Sequence, residues 1–431
     1  MIPDRQPCPG ASGASFHRRE GETWCEDVPL RALARRFGTP LYVYSQTAMQ
    51  ERLQQVRSAF GADAIVCYAV KANGTLGVLR TLHEGGSGFD VVSGGELRRL
   101  QAAGLPTSRV VFAGVAKERW EIEAAAAADI LFFNVESEHE LPDLAAVGRQ
   151  LGKRLRIALR INPDVDAGTH AYISTGKKEN KFGISLARAG SVVDAIAREA
   201  SLELVGYHVH LGSQVRSVEP YVQALQAVCA FVDAAPVRAA GIRYYDTGGG
   251  FGIAYGNGEP LDVGGVARAL LPTLRQRQWT PVVEPGRFLV GDAGVLLTAV
   301  IGEKQQGGTD FTLVDAAMND LMRPALYQAE HVIVPVSPRP GALRTVDVVG
   351  PVCETGDFLG RRRTLPPLQR GDLLAVLAAG AYGASMASNY NTRRRAAEVL
   401  VAGNTARLVR ARESFEQLLA NEADLHETFV V

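Results

Sequence analysis

Six residues, Tyr68-Ala69-Val70-Lys71-Ala72-Asn73, place a lysine where an apolar run, Ile65 to Val70, gives way to the small polar turn Asn73-Gly74. A buried strand would stop there. A lysine in a desolvated site beside other cations has its ordinary pKa of about 10.4 lowered enough for the neutral amine to attack a carbonyl. Lys71 therefore reads as the amine that holds a carbonyl cofactor as a Schiff base, with a solvated loop lysine as the plainer alternative.

Four other stretches carry chemistry of matching kinds. Asp246-Thr247-Gly248-Gly249-Gly250-Phe251-Gly252 lets backbone N–H groups approach a phosphate closely, or makes only a tight turn. Tyr207-His208-Val209-His210-Leu211-Gly212-Ser213-Gln214 sets two imidazoles two residues apart, on one side of a strand. Metal binding is one reading, without an evident third ligand; an imidazole stacked on an aromatic ring, with Ser213 bonding a phosphate oxygen, is another, and a core role for His208 a third. In Glu284-Pro285-Gly286-Arg287 the carboxylate could bond a protonated pyridine nitrogen and Arg287 could grip a carboxylate or phosphate; the plain alternative is a salt bridge between the two. Cys353, among the turn residues of Val349 to Asp357, would be mainly a thiol at neutral pH and so could donate a proton, or it simply fills space.

These residues need a frame. Strand-like runs are predicted at Ile65–Ala69, Gly88–Ser93, Arg109–Gly114, Ile130–Val135, Arg156–Asn162, Leu204–Leu211, Arg243–Gly248 and Pro281–Pro285, alternating with amphipathic helical segments. Eight strand–helix units over roughly 250 residues predict a closed α/β barrel of the (β/α)8, TIM-like kind, and in such barrels chemistry sits at the C-terminal strand ends. Lys71, Asp90, Ser93, Asn134, Arg160, Asn162, His208, His210, Ser213, Asp246, Glu284 and Arg287 all fall at that rim. After about residue 290 short alternating runs predict an antiparallel β domain, which the segment Phe16–Val43 could extend by a strand. The expected organisation is a leader over 1–15, a segment 16–40 joining the β domain, a cofactor-binding barrel over 41–290, and the C-terminal β domain over 291–431.

Composition narrows the class of partner. The 431 residues hold 46 Lys+Arg and 46 Asp+Glu, so no basic excess draws nucleic acid and small-molecule chemistry is the default. The five cysteines form no paired motif, which points to a reducing, cytoplasmic compartment. The Pro-, Gly- and Ser-rich leader has no apolar core of signal-peptide type, and Leu373 to Ala387 is too short and broken to span a bilayer, so no membrane partner is expected.

Together the stretches YAVKAN, GFDVVSGGEL, FNVES, LRINP, TGKKENKFGI, HVHLGSQ, TGGGFG, EPGR, DAAMNDLMRPALY, VGPVCETGDFLG and GAYGASMASNYN, spread from about residue 40 to 400, closely resemble the fold-type III pyridoxal-phosphate decarboxylases, and within them the meso-diaminopimelate decarboxylase family. The resemblance implies an alanine racemase/ornithine decarboxylase-like fold, pyridoxal 5'-phosphate as cofactor and an amino acid as substrate, with carbon dioxide and lysine as products. It makes Lys71 the Schiff-base lysine, His210 the imidazole on the ring and Glu284 the partner of the ring nitrogen. Ser213, Gly249, Gly250 and the Pro285-Gly286-Arg287 backbone hold phosphate, with Tyr382 near the cofactor. Arg287, Arg323, Tyr327, Glu354 and Tyr382 clamp substrate, and Cys353 donates a proton, Cys353 and Glu354 reaching the site from the second subunit of a homodimer. Ala316-Ala317 in place of the more usual Ala-Gly, and Arg394 near a position often held by proline, depart from the family pattern away from this chemistry.

Overall fold

The computed structural model describes residues 6–8, 15–166, 181–256 and 258–422. It divides into two compact units, one of Met1–Thr47 with Asp292–Val431 and one of Ala48–Gly291. The stretch Thr175 to Asn180 of the TGKKENKFGI motif, and most of the leader, lie outside the described residues.

In the second unit the strands β1 (Ile65–Ala69), β2 (Gly88–Val91), β3 (Val110–Phe112), β4 (Phe132–Val135), β5 (Leu155–Asn162), β6 (Leu202–His208), β7 (Tyr244–Asp246) and β8 (Thr280–Val283) pair in parallel in that order, and β8 pairs back to β1. This is the closed eight-stranded barrel. Its interior is filled by Cys67, Val111, Phe132, Ala158, Val205 and Val282, one residue from each of six strands, so the lower barrel is a packed core and only the upper rim is left for polar groups. Register then decides which polar groups share a level. Arg160 on β5 pairs with His208 on β6, His208 with Asp246 on β7, and Asp246 with Val282 on β8.

Several strands end one to three residues sooner than their apolar runs suggest, β3 at Phe112 and β6 at His208 among them. The residues beyond, Ala113-Gly114 and Val209-His210-Leu211, stay buried or half-buried while leaving the ladder. Apolarity marks burial, and at a barrel rim burial outlasts pairing.

The first unit is a sheet whose long strand β9 (Gly294–Gln306) pairs antiparallel with β10 (Thr309–Val314), with Leu41–Ser45 and with β14 (Leu373–Val376), counting β11 (Ile333–Pro335), β12 (Arg344–Val349) and β13 (Phe358–Leu365) between. The antiparallel expectation needs one correction: β10 and β12 run parallel, as do Leu41–Ser45 and β15 (Ala397–Ala402). Both pairs are joined by long connections, which parallel neighbours require and hairpins cannot supply. The N-terminal segment contributes Phe16, Cys25, Leu30 and Leu33 to one core with Leu41, Val43, Val295, Leu297 and Val399. The five cysteines are free thiols, and among the described residues no helix is long and apolar enough to cross a membrane.

Candidate active site

Lys71 sits in a single 3-10 turn, Val70–Ala72, directly after β1. The turn is held from both sides: Tyr68 donates its hydroxyl to the Asn73 carbonyl at 3.0 Å, and Asn73 Oδ1 accepts the Thr75 N–H at 3.1 Å. So placed, Lys71 Nζ lies 2.7 Å from Oδ2 of Asp90, a fully buried residue of β2. Burial and the charge of Glu284 push the Asp90 carboxyl up, Lys71 pulls it down, and the balance is about 6. At neutral pH the two form an ion pair.

Glu284 follows β8 and is almost wholly buried. Its Oε2 stands 3.4 Å from His208 Nε2 and its Oε1 accepts from Asn134 Nδ2 at 3.3 Å. Burial favours the neutral acid, but His208 and Lys71 outweigh it and hold the group well below the usual carboxylate range. His210, two residues past the end of β6, accepts the Gly249 N–H on Nδ1 at 3.1 Å, which leaves its ring proton on Nε2. Burial first, then the charges of Arg160 and Lys71, keep that imidazole neutral.

Lys71, His208, His210 and Glu284 line one cavity of about 340 Å³ with Phe182, Glu136 and Arg160. Arg160 donates to Glu136 Oε2 at 2.7 Å, and Glu136 Oε1 accepts the Gly114 N–H at 2.7 Å. Behind them the buried Lys117 bonds Glu140 Oε2 and the carbonyls of Asn134 and Gly114 at 2.7–2.8 Å. The ends of β3, β4 and β5 are thereby cross-linked by a neutral network of two cations and two carboxylates, every one of them partnered, as burial demands.

The metal reading gains what the sequence did not show, a third group: His208, His210 and Glu284 bring ligand-type atoms within 4.8 Å of one another. The same cavity is lined by Lys71 and Arg160, however, and two cations disfavour a divalent ion there. A flat aromatic aldehyde suits it better. An amine, a neutral imidazole face and a carboxylate converge, and the buried Asn134 Oδ1 and His208 Nδ1 still lack partners. The volume is at the lower end of the roughly 300–1,000 Å³ usual for small-molecule pockets. The residues present fit pyridoxal phosphate.

At the neighbouring strand ends Arg287 donates to Ser213 Oγ at 2.9 Å and to the Tyr255 hydroxyl at 2.6 Å. The Pro285 carbonyl accepts the Ala69 N–H at 3.3 Å, tying the end of β8 to the end of β1. Gly286 turns the chain into the short helix Arg287–Val290. Gly250 has φ +85°, and a Cβ on Gly249 would strike the Glu284 carbonyl oxygen, so the glycine run is required by close backbone approach as well as by any phosphate.

The remaining predicted residues belong to the sheet unit. Arg323 and Tyr327 open and close one short helix, and the buried Arg323 Nη1 is 2.8 Å from His331 Nε2. Cys353 is exposed, with its N–H bonded to Asn391 Oδ1 at 2.9 Å, while Glu354 accepts the Tyr390 hydroxyl and raises its pKa. Tyr382 adopts φ +56°. Glu136, Lys117 and Tyr255 escaped the reading of the sequence as site residues. Glu136 alone left a trace, as the residue after the β4 run in Phe133-Asn134-Val135-Glu136.

Glu96 also escaped it. This residue lies in the first turn of the helix Gly94–Ala102, where Ser93 Oγ accepts the Glu96 N–H and Glu96 Oε2 accepts the Val92 N–H at 2.8 Å. Burial raises its carboxyl to about 7. A raised acid contributes stability fully present below its unfolded pKa of about 4.3 and lost as pH rises through 7. Glu96→Gln, a permanent mimic of the neutral form, is expected to match the wild type in melting temperature at pH 4 and to exceed it at pH 8 by the equivalent of about 1–2 kcal/mol. Equal melting curves at pH 8 would show that the carboxyl ionises without cost.

The closed barrel with Lys71, a neutral imidazole and a buried glutamate at one rim is that of a pyridoxal-dependent decarboxylase. The family profile described as "Pyridoxal-dependent decarboxylase, pyridoxal binding domain" matches residues 46–291. Over 400 residues the chain is 49% identical to the diaminopimelate decarboxylase of Neisseria meningitidis, covering 93% of this chain and 98% of that one. Among solved structures, diaminopimelate decarboxylase from Helicobacter pylori complexed with L-lysine aligns with TM-score 0.87 and 40% identity over 91% of this chain and 99% of that one. The enzyme of that name from M. jannaschii, in co-complex with L-lysine, aligns with TM-score 0.90 and 35% identity over 96% and 98%. The chain belongs to the diaminopimelate decarboxylase family.

Proposed function

We propose that the protein removes one carboxylate of meso-2,6-diaminopimelate as carbon dioxide and releases L-lysine, the last step of lysine biosynthesis. Pyridoxal phosphate, when bound, supplies the sink for the electron pair left at Cα. Lys71 would hold the cofactor aldehyde, and Asp90, 2.7 Å from Nζ, is the counter-ion for the ammonium whenever that amine is free. The observation that carries the reading is Glu284, a buried carboxylate held ionised between His208 and Asn134: an acid, not a cation, keeps a ring nitrogen protonated. His210, neutral and flat, would lie against one face of the ring. Ser213, the 249–250 glycines and the 285–287 backbone would take the phosphate, and Tyr382 is assigned to the cofactor by the resemblance alone.

On the substrate side, Arg287 and Arg323, helped by Tyr327 and Tyr382, answer the distal carboxylate and Glu354 the distal amine, while Cys353, or else Lys71, delivers the proton that replaces carbon dioxide. Two arginines would have no partner in a diamine-forming relative. Carbon dioxide release from meso-diaminopimelate is expected to exceed that from ornithine, arginine or lysine by at least about a hundredfold in kcat/KM. Preference for a substrate without a distal carboxylate, or racemisation of alanine with no gas released, would overturn the assignment.

The same reading makes the enzyme a cytoplasmic homodimer in which Cys353 and Glu354 serve the partner's site, the cytoplasm being checked by cell fractionation. Mixing Lys71→Ala with Cys353→Ala protein is expected to restore up to about a quarter of wild-type activity, since half the dimers are mixed and each has one intact site. No recovery after proven subunit exchange would mean that each site is built from one chain.

A further inference from the structure

Asp246 ends β7 beside His208 in register, is fully buried, and is not among the residues that line the cavity. Its Oδ1 accepts the Gly248 N–H at 2.9 Å. Its Oδ2 is buried without a donor, and the register of β7 on β8, with Asp246 opposite Val282, sets it beside the strand end that carries Glu284, whose charge acts on it. Two acceptors facing one another in the dry interior of a barrel satisfy neither; one proton between them satisfies both.

The surroundings say which residue keeps that proton. Glu284 has His208 at 3.4 Å and the Asn134 amide at 3.3 Å, and Lys71 acts on it as well, all favouring its charged form. Asp246 has a backbone N–H in its favour, against the negative charges of Glu284 and of Asp90 on β2, and Cys67 of β1, Tyr245 and His208 are further titratable groups around it. Burial together with these charges drives the Asp246 carboxyl well above its usual range.

We propose that Asp246 is a positioning residue for Glu284, carrying a proton at neutral pH and donating it in a hydrogen bond to the Glu284 carboxylate. One negative charge instead of two then lies beneath the cavity floor, and Glu284 is fixed on three sides, by Asp246, His208 and Asn134. The consequence for catalysis rests on the reading that Glu284 serves the ring nitrogen; the consequence for the protein itself does not. Asparagine at 246 would keep both bonds, its oxygen accepting from Gly248 and its amide donating to Glu284, whereas leucine would keep neither.

The test has two arms. Isotope-edited infrared spectra of the protein at pH 8, with and without bound cofactor, are expected to show the C=O stretch of a protonated carboxyl that is lost in Asp246→Asn. In turnover, kcat is expected to fall about threefold in Asp246→Asn but at least about thirtyfold in Asp246→Leu, with cofactor affinity following the same order and KM nearly unchanged. The proposal is overturned by absence of the stretch at pH 8. It is equally overturned by a stretch that survives Asp246→Asn and vanishes in Glu284→Gln, or by Asp246→Asn losing as much activity as Asp246→Leu. If Asp246→Leu does not fold, the infrared arm and Asp246→Asn alone decide. If the wild type releases no carbon dioxide, the functional reading falls while the infrared result still stands or fails by itself.

Discussion

Lys71→Ala is expected to lower kcat by at least about four orders of magnitude while leaving the protein folded and able to take up pyridoxal phosphate without a covalent link. The amine is replaced by a methyl group, so the cofactor stays a free aldehyde, and its absorbance shifts from that of the covalently held form to that of the aldehyde. Each turnover then begins without the exchange of one amine for another, and nothing in the cavity returns the cofactor to a fixed position afterwards. A second consequence is local: Asp90 loses the cation at 2.7 Å that offsets its burial, and so takes up a proton at higher pH than the wild type, where it does so near 6. An alanine variant that kept the covalent-form absorbance, or more than about one per cent of kcat, would remove Lys71 from the centre of the site.

The barrel was legible because its helices and strands alternate with full hydrophobic periods. Ile65–Ala69 has in the structure the bounds that its pattern predicts. The sheet unit was harder to read. Its longest strand, Gly294–Gln306, is apolar and buried over its first half and exposed over Glu303–Gln306, so neither half has the period-2 alternation of a half-buried strand. Phe358–Leu365 carries three consecutive arginines, which hide an exposed strand edge behind charge. At the site, the glycine run and the Glu284 segment announce themselves through unusual residue types at a strand end. Lys117 and Glu140 do not, since a lysine and a glutamate 23 positions apart look like solvated surface in a sequence; only the closure of the barrel brings them to 2.7 Å in a buried place. His208 shows the same limit from the other side. Its neighbour in the chain is Val209, but its functional neighbour, Glu284, comes from a strand two places round the barrel.

Glu284→Ala is expected to lower kcat by about a hundredfold to a thousandfold with little change in KM, because it removes a charge that matters when electrons move into the ring and not when substrate docks. Glu284→Gln separates charge from packing: the amide fills the same volume between Asn134 and His208 but cannot keep a ring nitrogen protonated, so its kcat should lie nearer to alanine than to the wild type. The pH dependence sharpens the point. Glu284 is held well below the usual carboxylate range, so it stays ionised throughout the working range and contributes no acidic limb. Asp90, near 6, does: below that pH it is neutral and no longer the counter-ion of Lys71, so kcat is expected to fall as pH drops through 6. Asp90→Asn should be slower than the wild type at pH 8 and lose that limb, whereas Glu284→Gln should keep it at a lower plateau. A limb near 6 that vanished in Glu284→Gln and persisted in Asp90→Asn would reverse the two assignments, making Glu284 the titrating acid and leaving the ring nitrogen without a fixed anionic partner.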